Sequence, residues 1–235
     1  MTYSEIMIQL QQWGNSGTKN VLVKHGAREP FFGVKVEDLK KIQKKIKKDY
    51  QLSLDLYNSV NSDAMYLAGL IADPAKMTRA DLNDWVTKAY WYMISEYTVA
   101  WVASESLFGT ELALEWIESD KENIASSGWA TLASIAATKS DAEMDIPLFK
   151  TLLERVSKTI HSQKNRVRYT MNGFVIAVGG YSLQLTHEAE KAAAAIGKVM
   201  VDMGGTACKV PLATEYITKM HNRGTLGKKR KSAIC

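Results

Sequence analysis

Amphipathic helical segments recur in pairs along this chain, at intervals of roughly 30 to 40 residues. Only 4 prolines interrupt the 235 residues, and 46% of the residues are hydrophobic, which suits a globular and strongly helical protein. Spacing of this kind without a crisp consensus is typical of a degenerate array of helical repeats, although an ordinary helical bundle gives a similar pattern. We therefore expect an all-α protein, with residues 1–235 as a single domain.

The segment 36–50 is the clearest of the early helices. Its predicted buried stripe consists of Leu39, Ile42, Ile46 and Tyr50. Lysines coat the rest of the segment, and these are Lys40, Lys41, Lys44, Lys45, Lys47 and Lys48. Such a helix is often only a solvated face, but six lysines with no acid among them also suit a surface that faces a polyanion.

The stretch 78–108 predicts two helices with a short break between them. Thr78 followed by Asp81 is typical of a helix N-terminus, with a cap and an acidic third position. The β-branched Thr87 and the Ala89-Tyr90 step suggest that the first helix ends there. A second helix would then carry one face of residues three and four apart, namely Ile94, Tyr97, Thr98, Trp101 and Glu105.

Three of the six tryptophans, Trp85, Trp91 and Trp101, lie in this stretch, and Glu96 is a charged residue within its apolar or aromatic run. Two interpretations stay open. Large side chains at helical spacing usually pack into a core, with Glu96 solvated or paired. The alternative is an aromatic cleft with one polar group that faces a stacking ligand.

The sequence from Trp91 to Glu96 resembles a motif of the AlkD-like DNA alkylation repair proteins, which reads approximately Trp-Asp-x-x-Asp-Gln. The likeness extends to residues 31–49, 67–78 and 201–231, and so covers most of the chain. The resemblance implies an α-α superhelix of HEAT-like repeats that handles DNA. In the family's glycosylases, tryptophans contact the deoxyribose and an aspartate stabilises positive charge that develops on the sugar.

This chain departs from the family motif at two critical places. Ser95 stands at the position of the aspartate and Glu96 at the position of the glutamine, while Gly173 stands where a second tryptophan is expected. Serine carries no full negative charge and glycine offers no aromatic wall. The chain therefore most resembles the AlkF/AlkG-like branch, whose members lack the catalytic set, carry a hairpin and are associated with branched DNA. If an enzyme remained, it would use Trp91 and Glu96.

The C-terminal third predicts a hairpin and a basic tail. Residues 198–210 alternate around Gly204 and Gly205, which suggests a β-hairpin; an irregular loop is the alternative. Residues 224–235 carry a run of four cations and suit either a phosphate-binding or a solubilising terminus.

The sequence thus predicts a DNA-binding surface assembled from separate basic segments. Its candidate residues are Lys40, Lys44, Lys47, Lys48, Trp91, Arg155, Lys164, Arg166, Arg168, Lys228, Lys229, Arg230 and Lys231. Backbone-directed binding of branched or damaged DNA is the first hypothesis. An alkylpurine DNA glycosylase is the second, and a helical scaffold for protein partners is the third.

Other classes of function lack support in the sequence. No CxxC pair, HExxH, P-loop or Rossmann glycine pattern occurs, so we predict no metal and no cofactor. No apolar run is long enough to span a membrane, and two cysteines suit a reducing cytoplasm. Cys208 is expected to be a small packed side chain, and the protein to be a monomer.

Overall fold

The computed structural model describes residues 1–234, and within them every regular element is a helix. None of these helices combines the length and the apolar composition needed to cross a bilayer. The α-helices of the described residues are α1 (Tyr3–Trp13), α2 (Ser16–Lys24), α3 (Val36–Ile46), α4 (Tyr50–Asn58), α5 (Ser62–Ile71), α6 (Arg79–Lys88), α7 (Ala100–Glu105), α8 (Gly109–Trp116), α9 (Glu122–Thr138), α10 (Ile146–Thr159), α11 (Asn165–Tyr181), α12 (Thr186–Ile196) and α13 (Ala213–Asn222). A π-helix (Met93–Val99) precedes α7, and short 3-10 turns lie at Asp141–Glu143, Ile160–Ser162 and Leu183–Leu185.

One row of helices runs through the molecule. Helix α5 packs on the π-helix, the π-helix and α7 pack on α9, and α9 packs on α11. We call these helices the inner row. Other helices pack against individual members of this row: α4 on α5, α8 on α9, and α10 and α12 on α11. The all-α expectation is confirmed, and paired helices in sequential contact are what a repeat array requires.

The apolar interior falls into two clusters. The first extends from Ile6 to Trp116 and the second from Ala113 to Ile217, so they meet at α8. Ala233 is an exception, because it lies near the end of the chain but is buried in the first cluster. The C-terminal segment therefore leaves the second cluster and returns to the first.

The predicted break in the stretch 78–108 is present. Thr78 and Asp81 form a capping box, which starts α6, and α6 ends at Lys88. The second helix is not α-helical throughout, because Met93–Val99 has π geometry before α7 continues to Glu105. Such a wide turn changes which residues share a face.

Helix α3 is shorter than the segment 36–50 predicts. It ends at Ile46 because Lys47 takes a φ of 66°, in the left-handed region. Leu39 and Ile42 are buried as predicted, whereas Tyr50 begins α4 after the Asp49 cap.

The β-hairpin predicted for residues 198–210 is wrong, because the segment is an irregular loop. Gly204 and Gly205 do take positive φ angles, of 67° and 73°. The flanking backbone is held by side chains instead of a second strand: Asn165 Oδ1 accepts from the Asp202 N–H, and Asn165 Nδ2 donates to the Asp202 carbonyl. Local side-chain bonds thus replace a strand ladder. Cys208, on this loop, is exposed rather than packed.

Candidate nucleic-acid interface

A buried ion pair joins the π-helix to α11. Glu96 accepts two hydrogen bonds from Arg166, at 2.8 Å from Nε and 2.5 Å from Nη2. Only 3% of the Glu96 side chain and 16% of the Arg166 side chain are exposed. The guanidinium also lies over the rings of Tyr92 and Tyr169, 4.4 and 4.3 Å from their centroids. The Glu96 charge is therefore compensated inside the fold.

The surroundings of this pair shift the pKa values of several groups. Burial raises the pKa of Glu96, although the Arg166 guanidinium opposes the rise. Burial raises the pKa of Tyr92 to about 12, and it raises the pKa of Tyr97 and of Tyr169 as well. The three phenols are therefore protonated and neutral at physiological pH, where they provide ring surface and hydrogen-bond donors.

A small hollow opens beside the ion pair. It measures about 180 Å³ and lies between α7, α9, α11 and the C-terminal segment. Its lining includes Glu96, Tyr97, Trp101, Tyr169, Gly173 and Arg230. A Cβ atom added at Gly173 would meet no heavy atom of residues 1–234 within 4 Å, so this wall of the hollow is open. The hollow is aromatic on one side and bears a guanidinium contributed from near the C-terminus.

Trp91 belongs to the core and not to this hollow. Its exposure is 8%, it packs edge-on against Tyr92, and its Nε1 has no hydrogen-bond partner within residues 1–234. Ser95 is also buried, with its Oγ donating to the Trp91 carbonyl at 3.3 Å. Of the two interpretations of this aromatic stretch, packing therefore describes Trp91, whereas Trp101 both packs and borders the hollow.

Three lysine candidates at and just beyond the end of α3 line a second depression. This groove measures about 440 Å³ and lies between the end of α3, α5, α7 and the C-terminal segment. Lys44, Lys47 and Lys48 stand at its edge, and Trp101 borders both the groove and the hollow. Lys48 is 3.6 Å from Asp73, a weak surface pair. Lys40, one turn earlier, is half-buried.

Four candidate cations on α10 and around the start of α11 have partners within the fold. Arg155 pairs with Glu118 and lies over the Trp129 ring, and Lys164 donates to the Asp120 carbonyl. Arg168 donates to Asn165 at 3.3 Å, and Arg166 is held by Glu96. The structure therefore does not gather these four residues into one open basic patch.

The basic tail is docked along the inner row. We call residues 227–234 the C-terminal strap. The Gly227 N–H donates to the Gly180 carbonyl at 2.9 Å, and the Arg230 N–H donates to the Ala137 carbonyl at 2.8 Å. Further along, Glu105 accepts from the Ala233 N–H at 2.7 Å and from the Ser232 hydroxyl at 2.9 Å. The strap thus crosses the C-terminal ends of α11, α9 and α7 in turn.

The four cations of the strap are not equivalent. Lys229 is an anchor, since its ammonium donates to Asp141 at 2.9 Å and to the Ala136 carbonyl at 3.0 Å. Arg230 borders the hollow. Lys228 and Lys231 are exposed to solvent.

Comparison with known families accounts for this architecture. The family model described as "DNA alkylation repair enzyme" matches residues 6–201, which is most of the chain and includes the π-helix, the ion pair and the hollow except for Arg230. This chain belongs to the DNA alkylation repair enzyme family. The AlkD-like resemblance seen in the sequence is therefore confirmed.

Relatives of this chain cover nearly its whole length. An uncharacterized protein of Listeria monocytogenes, Lmo0209, is 35% identical over 229 residues, which is 95% of this chain and 99% of the relative. Lin0241 of Listeria innocua is 34% identical over the same shares. One solved structure, with a TM-score of 0.92, 36% identity and 100% coverage of both chains, is described as "A new family of proteins related to the HEAT-like repeat DNA glycosylases with affinity for branched DNA structures".

Sequence reasoning about this family member missed the docking of the strap. The residues that anchor it, Glu105 and Asp141, are 128 and 88 residues away from their partners along the chain. One signal was available, because apolar Ala233 and Ile234 follow the basic run after a single serine. Tyr169 was also missed; it borders the hollow, and the Arg166 guanidinium lies over its ring.

Proposed function

We propose that this protein binds DNA through the sugar-phosphate backbone, prefers branched structures, and does not excise bases. Two findings support the proposal. The chain belongs to the DNA alkylation repair enzyme family, and its solved relative, 36% identical over the full length, is described as having affinity for branched DNA. We further propose that it acts as a cytoplasmic monomer of one domain, and sedimentation at micromolar concentration tests the oligomeric state.

The environment of Glu96 carries the proposal against base excision. Breaking a glycosidic bond leaves positive charge on the sugar, and an unpaired carboxylate close to it is the family's means of stabilising that charge. Here the one carboxylate among residues 1–234 that borders the hollow belongs to Glu96, and Arg166 holds it in a bidentate pair, so its charge is already compensated. Ser95 is buried and uncharged, and Gly173 supplies no ring.

A glycosylase that uses Glu96 is the second candidate, because the π-helix does turn Glu96 toward the hollow. Activity would then require Arg166 to release the carboxylate. Release of methylated purines from alkylated DNA at a large excess of protein tests this candidate. Release that disappears in Glu96→Gln while the fold is retained would replace our proposal with the enzymatic one.

Binding is tested by fluorescence anisotropy with a four-way junction, a bubble and a plain duplex of equal nucleotide number. We expect the junction to bind most tightly, and the affinity to fall steeply between roughly 50 and 200 mM salt, since each phosphate contact releases condensed counterions. Equal affinity for the three substrates contradicts structure selectivity, and no measurable affinity for any of them contradicts DNA binding.

A further inference from the structure

The helices of the inner row are a poor surface for a polyanion by themselves. Helices α5, α7, α9 and α11 and the π-helix together contain two arginines, Arg166 and Arg168, and no lysine. The same helices contain four acids, which are Asp63, Glu96, Glu105 and Glu122. Arg166 is moreover paired with Glu96. Asp63 and Glu96 are buried, so a phosphate backbone that approached these helices alone would meet mainly Arg168 against the partly exposed Glu105 and Glu122, which leaves a net negative charge.

The C-terminal strap adds positive charge to the inner row. It places four consecutive cations, residues 228–231, across the row, and its Ser232 hydroxyl and Ala233 N–H donate to the carboxylate of Glu105. Arg230 borders the hollow between α7, α9 and α11. Beyond it, Ser232 and Ile234 line the groove that has Lys44, Lys47 and Lys48 at its edge. The strap therefore connects the hollow to the lysines at the end of α3.

The course of the strap has a physical cause. The last carbonyls of an α-helix lack intrahelical partners and form the negative end of the helix dipole. Gly227, Lys229 and Arg230 donate to such carbonyls at the ends of α11 and α9. Helix ends alone do not explain the whole basic run, because the side chains of Lys228 and Lys231 are exposed and have no hydrogen-bond or ion-pair partner within residues 1–234.

We propose that the C-terminal strap is the main phosphate-binding element of this face, and that Lys228, Arg230 and Lys231 contact the DNA backbone. Lys229 and Glu105 are positioning residues, since they fix the strap and do not meet the ligand. The inference rests on the proposed DNA binding and deepens it. Its ligand is the phosphodiester chain, so it predicts salt-dependent affinity without dependence on base sequence.

The test compares two double substitutions that remove the same charge. Lys228→Ala/Lys231→Ala changes the strap, whereas Lys150→Ala/Lys191→Ala changes exposed lysines that line a groove between α10 and α12. Affinity for a four-way junction is measured as a function of salt. For the strap variant we expect the log–log slope to decrease by about 2, and affinity at about 50 mM salt to fall tenfold or more, because each phosphate contact contributes about 0.9 to the slope. The control variant should leave the slope unchanged and keep the affinity within twofold.

A second pair of variants tests the positioning role. Glu105→Ala removes the acceptor for Ser232 and Ala233, so we expect weaker junction binding and faster tryptic cleavage within residues 228–231. Glu105→Gln keeps an acceptor oxygen and should restore both, which a general loss of packing would not do. Unchanged affinity in both Lys228→Ala/Lys231→Ala and Glu105→Ala, with junction binding intact in the unmodified protein, overturns the strap proposal alone. An equal loss in the Lys150→Ala/Lys191→Ala control also overturns it. Absence of binding in the unmodified protein overturns both proposals together.

Discussion

The Glu96–Arg166 pair gives the sharpest quantitative prediction. Removing one partner of a buried ion pair leaves an uncompensated charge and destabilises a fold by about 3–5 kcal/mol. Because the Glu96 side chain is only 3% exposed, Arg166→Met should lower the free energy of unfolding by an amount in this range. The lost stacking on Tyr92 and Tyr169 should add about 1 kcal/mol to that decrease. Glu96→Gln should cost about 2–3 kcal/mol, since the amide oxygen still accepts one hydrogen bond from an arginine that reaches more water.

Urea denaturation followed by far-ultraviolet circular dichroism measures the free energy of unfolding for each single variant and for Glu96→Gln/Arg166→Met. The double variant contains no unpaired charge. Its free energy of unfolding should therefore fall by less than the sum of the two single decreases, with a coupling energy of about 2 kcal/mol. Arg79→Met and Glu115→Gln form the matched control at an exposed pair, and each should cost no more than about 1 kcal/mol.

The outcome also bears on function. If Arg166→Met changes the free energy of unfolding by less than about 1 kcal/mol and the cycle shows no coupling, the pair does not hold the carboxylate in place. Glu96 would then be available to stabilise a developing sugar cation, which contradicts the proposal that this protein does not excise bases. A large coupling energy, by contrast, assigns Glu96 to the stability of the fold.

Three further predictions concern the same molecule. Asp63→Ala should lower the free energy of unfolding in urea by at least about 3 kcal/mol, because Asp63 accepts the backbone N–H groups of residues 32, 33 and 34. Gly69→Ala should cost about 1–3 kcal/mol in the same assay, since its Cβ would lie 2.5 Å from Thr98 Cγ2, and Thr98→Ser in the same chain should recover part of the loss. Burial raises the pKa of Tyr92 to about 12, above its value of roughly 10 in the unfolded chain, so its contribution to stability is complete below pH 10 and is lost between pH 10 and 12. Melting temperatures across that range should therefore fall less steeply for Tyr92→Phe than for the unmodified protein.

Features set by neighbouring residues could be predicted from the sequence. The capping box at Thr78, the end of α6 near residue 88 and the buried stripe of α3 depend on side chains three or four positions apart. The positive φ angles of Gly204 and Gly205 are equally local. These features are predictable because the contacts that determine them join residues only a few positions apart in the sequence.

Features set by distant residues were missed or wrong. The loop at 198–210 lacks a second strand because Asn165, on α11, binds its backbone. The strap is ordered because Glu105 and Asp141 bind it from other helices. The cations of α10 and α11 looked like one patch in the sequence, but Arg155 and Lys164 meet groups near residue 120 instead. Each case is a tertiary contact that overrides a local tendency.

The π-helix has a consequence for how members of this family are compared. A π-turn closes its hydrogen bonds over five residues instead of four, so it accommodates one residue more than an α-turn over the same stretch. Consider a relative whose matching segment is purely α-helical. If its sequence is aligned to this one without a gap from the residues before Met93 onward, each residue after Val99 is paired with a residue one position away from its true spatial equivalent. Equivalent positions near Ser95 and Glu96 are therefore better assigned by superposing backbones than by counting from Trp91. Deleting a single residue within 93–99 should return the segment to α-helical spacing and bring the later residues back into register with such a relative.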